Sequence, residues 1–190
     1  TALVVLSLLF AAQLAMAQAG DKWWKDYGGG ADNSKYIVTE KLTKSNVDKL
    51  QLAWNYPVGD NNVYQFNPLV VDNLMYVLSR DNSLVALDAR TGKEIWVHEK
   101  LTGIGGRGLN YWESKDAKDR RLLIMVNQTL QALDARTGKS ILSFGDKGGV
   151  NLREGLGRDP ATVYRTQSGT PGKVFGDLLI LGSATGEGYV

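Results

Sequence analysis

Histidine and cysteine chemistry is nearly absent from this 190-residue chain: there is one histidine, His98, and no cysteine. A lone histidine on a segment that reads as an outer strand, with no second ligand at metal spacing, makes no metal site, and no Ser-His-Asp grouping can be built around it. The absence of cysteine excludes disulfides and thiolate metal centres. Gly103-x-Gly105-x-x-Gly108 has the spacing of a dinucleotide loop, but it opens no helix and lies in no βαβ unit, so it is rejected as one. Asn127-Gln128-Thr129 fits a glycosylation sequon by chance, at a hairpin. The net charge of +2 gives no electrostatic case for nucleic acid or an anionic membrane. The run Lys115 to Arg121 mixes both signs and reads as a solvated loop. Any chemistry must therefore come from loops that a larger framework brings together.

That framework is written in a phrase used twice. Ala86-Leu87-Asp88-Ala89-Arg90-Thr91-Gly92-Lys93 returns as Ala132-Leu133-Asp134-Ala135-Arg136-Thr137-Gly138-Lys139, an offset of 132 − 86 = 46 residues. A period of roughly 40–50 residues suits one four-stranded propeller blade. Pro68 to Val71, Leu74 to Ser79, Ser83 to Leu87 and Glu94 to His98 read as four strands. They are split at Asp72-Asn73, Asp81-Asn82 and Thr91-Gly92, residue pairs suited to tight turns. A second unit is predicted at Gly108 to Trp112, Leu122 to Val126, Thr129 to Leu133 and Ser140 to Phe144. An excursion from Gly145 to Thr166 precedes a third start at Thr170-Pro171, with Leu178 to Leu181 as its second strand. No segment keeps a helical period, so the chain is predicted to be all-β, a β-propeller, usually closed by roughly four to eight blades, of which two blades and part of a third are present. Trp96 closes the first copy where the second has Leu142, which predicts a less well sealed second seam.

Ahead of the blades, Asp21 to Asn46 is polar, glycine-rich and aromatic and reads as an irregular segment laid over a sheet. Ser45 to Leu50 reads as one helical turn capped by Ser45, and Leu52 to Val58 alternates like a strand. Ala2 to Ala15 is apolar and uncharged, and Ala15-Met16-Ala17 is a small-x-small cleavage pattern. Residues 1–17 thus read as a secretory signal truncated at its start, too short to span a bilayer. Residues 18–190 read as the front portion of a propeller, exported to the periplasm, with no transmembrane segment.

Three stretches resemble the quinoprotein dehydrogenases, which carry pyrroloquinoline quinone (PQQ) in an eight-bladed propeller. Ala86 to Trp96 resembles the family's tryptophan-docking repeat. Trp24, Gly28, Tyr36, Leu42, Asn46, Val47 and Leu50 are similar to its N-terminal signature. Arg107-Gly108-Leu109-Asn110-Tyr111 resembles its Arg-Gly-x-x-Tyr segment. There are departures: Gly29 stands where the signature has a basic residue, Thr43 where it has Asn, and Gly105-Gly106 where the methanol and ethanol branch has paired cysteines. The missing cysteines move the match toward the glucose and polyol branch, whereas Asp81, at a position that is His in that branch, puts the sugar preference in doubt.

The resemblance implies a site for a tricarboxylate ortho-quinone. In it Arg107 holds a cofactor carboxylate, Ser168 bonds the quinone, and Gln65 stands where the family has a cofactor-contacting Glu. Gly186 borders the cofactor, and Glu187 is the expected calcium ligand. The implied reaction moves a hydride from a sugar, polyol or other alcohol to PQQ, assisted by calcium. The general base is an Asp expected beyond Val190, so no catalytic residue is assigned within this chain, which alone is expected to be inactive. The electron acceptor, ubiquinone or a cytochrome c, is left open. The alternative is a non-enzymatic propeller scaffold of the outer-membrane assembly lipoprotein type.

Overall fold

In the computed structural model, residues 23–30, 32–39, 41–59, 65–164, 166 and 170–182 are described. Among these residues there are ten strands and three short 3-10 turns. The first four-stranded sheet runs in sequence order: β1 (Leu69–Val71), β2 (Leu74–Ser79), β3 (Ser83–Asp88) and β4 (Glu94–His98). The second is β5 (Asn110–Glu113), β6 (Arg120–Val126), β7 (Thr129–Asp134) and β8 (Gly149–Asn151). A hairpin of β9 (Lys173–Phe175) and β10 (Leu178–Ile180) opens a third unit. All pairings are antiparallel. This is the meander expected from turn residues every few positions: Asp72 and Asn127 take the positive φ of two-residue hairpin turns, and Asp81 and Asn82 take it in the three-residue β2–β3 connection.

The sheets stack face to face. Leu69, Val71, Tyr76, Leu84 and Ala86 of the first sheet share one buried cluster with Leu109, Tyr111, Leu122, Ile124, Leu133 and Ala135 of the second. The opposite face of the second sheet, with Leu123, Met125, Leu130 and Ala132, meets Val174, Leu179 and Leu181 of the third unit. Period-2 alternation therefore feeds both faces, as a middle layer of a stack demands.

The repeated phrase is a turn that receives a tryptophan. Asp134 Oδ1 accepts from the Arg136 amide at 3.0 Å and from the Thr137 amide and hydroxyl at 2.8 and 2.9 Å. Asp88 does the same with Arg90 and Thr91. Gly138, at φ 70°, leaves room for the Trp96 ring: a β-carbon there would lie 2.5 Å from the indole. Trp96 Nε1 donates to the Ala135 carbonyl at 3.2 Å. Trp54 repeats this against Gly92 and the Ala89 carbonyl, also at 3.2 Å.

Three local expectations are corrected. The fourth strand of the second sheet is not Ser140 to Phe144 but Gly149–Asn151, paired with residues 129–131. Ser140 makes one bridge to Leu133, then the chain turns out through exposed Leu142 and comes back at an Asp146–Gly149 turn. The physical difference is the missing indole: Leu142 stands where the first copy has Trp96 and is left exposed among the described residues. The turn near 47 is a 3-10 turn, Val47–Lys49, that begins after Asn46, not Ser45. Asn46 Oδ1 takes the Thr43 amide at 2.7 Å, while Ser45 bonds only the Thr43 hydroxyl among the described partners. Leu52 to Val58 carries no strand assignment, since among the described residues no neighbouring strand pairs with it.

Candidate functional site

Antiparallel alternation sends the starts of β1 and β5 and the β2–β3 and β6–β7 turns to one end of the stack. The docking turns lie at the other end. The loop from β4 to β5 carries Arg107 along the first of these ends. On its way the Leu101 amide bonds the Asn82 carbonyl at 3.1 Å, and the Asn127 amide bonds the Gly103 carbonyl at 2.9 Å. At the same end the Thr166 amide and hydroxyl both donate to Gln128 Oε1, at 3.0 and 2.6 Å, which fixes the approach to the third unit.

Gln65 and Arg107, both exposed, are brought together through Asn67. The Asn67 amide and Nδ2 both donate to the Arg107 carbonyl, at 3.0 and 3.2 Å. The same Nδ2 reaches the Gln65 carbonyl at 3.5 Å. Among the described residues no carboxylate lies within ion-pair reach of Arg107. The third unit joins through Asn110, which is 5% exposed and donates Nδ2 to the Pro171 carbonyl. Gly108 sits at the junction of all three: a β-carbon there would lie 3.1 Å from the Tyr27 ring, 3.5 Å from Pro171 and 3.6 Å from the Asn67 carbonyl. A side chain at this position would require the Tyr27 ring to give by a few tenths of an ångström.

Tyr27 belongs to the predicted irregular segment, which runs along the free edge of β1. The Val70 amide donates to the Trp24 carbonyl at 2.8 Å. Lys173 of β9 holds the segment from the far side, through Asp26 Oδ1 at 3.1 Å and the Gly30 carbonyl at 2.9 Å. Residues 24–30 thus strap the inner edges of all three units.

Of the residues assigned from sequence, the structure places Gln65 and Arg107 on neighbouring loops. Ser168, Gly186 and Glu187 lie outside the described residues. Among the described residues no group of three His, Cys, Asp or Glu side chains could hold a metal ion, and no helix is long and apolar enough to cross a membrane. Asp81, which departs from the glucose branch, sits in the β2–β3 turn at the same end as Arg107. His98 is occupied structurally, with Nδ1 2.6 Å from the Gly138 carbonyl. Sequence reasoning missed Asn67, Asn110 and Gln128. Their one legible signal was an amide side chain beside a strand start or in a hairpin turn.

The donor set suits an anionic, carbonyl-bearing ring. An exposed guanidinium can meet a carboxylate with charge-assisted hydrogen bonds, and a primary amide can meet a carbonyl or a second carboxylate. No described carboxylate crowds Arg107 to oppose such a ligand.

Comparison with known proteins agrees with this geometry. Residues 24–189 match the family model described as the beta-propeller domain of glucose/ethanol/alcohol dehydrogenases, PQQ type. The chain is 27% identical, over 84% of its length, to the quinate/shikimate dehydrogenase (quinone) of Acinetobacter baylyi, and covers 24% of that protein. It is 30% identical, over 89% of its length, to the glycerol dehydrogenase large subunit of Gluconobacter oxydans, covering 25% of it. Among solved structures, the quinohemoprotein alcohol dehydrogenase from Comamonas testosteroni superposes with a TM-score of 0.63 at 25% identity, over 87% of this chain and 24% of that one. The chain thus spans about a quarter of the length of these relatives. With its antiparallel four-stranded sheets, docking turns and Arg-Gly loop in order, this all-β chain belongs to the PQQ-dependent dehydrogenase family of β-propellers.

Proposed function

We propose that this chain is the N-terminal part of a periplasmic quinoprotein dehydrogenase that oxidises a sugar, polyol or other alcohol, built on an eight-bladed ring. The observation that carries the reading is the meeting of the Gln65 and Arg107 loops, joined by Asn67, with an exposed guanidinium that has no ion-pair partner among the described residues. The names of the quinate/shikimate and glycerol dehydrogenases support a hydroxyl-bearing substrate. The scaffold alternative draws no support from these relatives.

When bound, PQQ supplies the two-electron oxidant, an ortho-quinone that accepts hydride from an alcohol carbon. Within this chain Arg107 would hold a cofactor carboxylate, and the Gln65 amide would donate to the ring without adding charge. The proposal extends to Ser168 as a hydroxyl donor, Gly186 as a cofactor neighbour and Glu187 as a calcium ligand. The base and most of the metal shell are placed in later blades, so the 190-residue chain alone is proposed to be inactive. Residues 1–17 are proposed as an export signal, which amino-terminal sequencing of the periplasmic protein tests by reading Gln18 first.

Titrating the full-length apoprotein with PQQ and calcium, followed by quinone absorbance, tests the reading. Stoichiometric uptake by the full-length protein, with weak or undetectable uptake by residues 1–190, is the expected result. No uptake by the full-length protein rejects it. Turnover assays with glycerol, quinate and primary alcohols then separate the substrate classes. Assays with a ubiquinone analogue and with cytochrome c separate the acceptors.

A further inference from the structure

The two asparagines at the loop junction have no part in the docking repeat, and neither belongs to the residues assigned above to the cofactor. Asn110 and Ser83 are the buried polar residues among those described. A buried amide is costly unless bonded. Asn110 meets this by donating across the seam to the Pro171 carbonyl, from the first residue of β5 to the start of the third unit. Asn67 does the matching work across the first seam. Two donors of one residue, its backbone amide and Nδ2, converge on the single carbonyl of Arg107. That carbonyl is fixed from the side of the first unit, while the Arg107 side chain stays exposed. Gly108, next in sequence, packs close to Tyr27, Pro171 and the Asn67 carbonyl, which sets the peptide that carries Arg107 against all three segments.

We infer that Asn67 and Asn110 are positioning residues: their side-chain amides tie the Gln65, Arg107 and Pro171 loops into one rigid rim that presents Arg107 to an anionic ligand. The inference rests on the quinone-site reading for the identity of that ligand. The mechanism is pre-organisation. A guanidinium on a tethered loop loses less freedom on binding a carboxylate than one on a loose loop.

The test uses the full-length protein with Asn67→Ala, Asn67→Thr and Asn110→Ala, each checked by its thermal midpoint. Trypsin cleavage after Arg107, measured against cleavage after Arg90 in the same sample, reports opening of the rim without any cofactor. Asn67→Ala is expected to raise that ratio about tenfold and to weaken PQQ binding in the presence of calcium about tenfold. Asn67→Thr retains a side-chain donor and is expected to restore both to within threefold. A ratio and an affinity within twofold of the unmodified protein overturn the inference, as does equal loss in the Thr and Ala variants. If Asn67→Ala fails to fold, Asn110→Ala carries the same two readouts under the same criteria. An unmodified protein that takes up no quinone overturns the site reading and the ligand half of the inference, while the cleavage ratio still decides the rim.

Discussion

Arg107 and Asp88 show how differently two charged residues can be used on one scaffold. Arg107 has its backbone tied and its side chain exposed, so its substitution should leave folding alone and strike binding. Arg107→Ala is expected to weaken PQQ uptake by about a hundredfold in the full-length protein with an unchanged thermal midpoint. Arg107→Lys should recover only part, since an ammonium lacks the two-pronged donor geometry. Asp88 is structural. Burial works to raise its carboxyl pKa, but the Arg90 amide and the Thr91 hydroxyl and amide outweigh it and hold the carboxyl below the usual aspartate value. A group depressed in the folded state stabilises the fold fully above its unfolded pKa, near 3.8, and loses that contribution as pH falls through the depressed value. Urea unfolding of the full-length protein should therefore show a stability step below pH 3.8 that Asp88→Asn reduces; an unchanged profile would refute this role.

At the scale of elements, the docking turn and its tryptophan are one unit. Gly138 combines a left-handed φ with an indole packed where a side chain would begin, so Gly138→Ala faces both backbone strain and collision. A loss of about 2 kcal/mol or more in chemical denaturation is expected, against a fraction of that for Ala at exposed Gly106, where no atom lies within 4 Å of the added carbon. This part of the architecture was legible because it depends on local chemistry that repeats. Asp, Thr and Gly at fixed offsets make the same hydrogen bonds twice, and the turn pairs Asp72-Asn73 and Asp81-Asn82 bound the predicted strands. The fourth strand of the second sheet was not legible. Position 142 holds Leu in place of Trp, and the strand that replaces the predicted one lies beyond a turn at Asp146–Gly149 with no counterpart in the first repeat. Of the candidate site, the sequence named Gln65 and Arg107 through the motifs around them, and the structure puts their loops side by side. The amides that organise it act between segments about 40 and 61 residues apart, and no local pattern encodes such a pairing.

At the scale of the molecule, the seam between the first two sheets holds the largest buried apolar cluster among the described residues, and Leu133, fully buried within it, is its clearest probe. Leu133→Ala should cost about 2–5 kcal/mol, read from the shift in urea midpoint, whereas the same change at Leu142, 69% exposed, should cost little. Trp54 carries a different message. It meets Gly92 as Trp96 meets Gly138, so residues 52–58 stand in the berth of an outermost strand whose own sheet is missing from the described residues. In the ring proposed above, strands from a distant part of the polypeptide would pair with that edge. Contacts of such sequence separation carry a loop-entropy penalty and form slowly. The backbone amides of 52–58 should exchange with deuterium quickly in the 190-residue chain and become among the better protected once the circle is sealed, making this short stretch the clasp of the necklace.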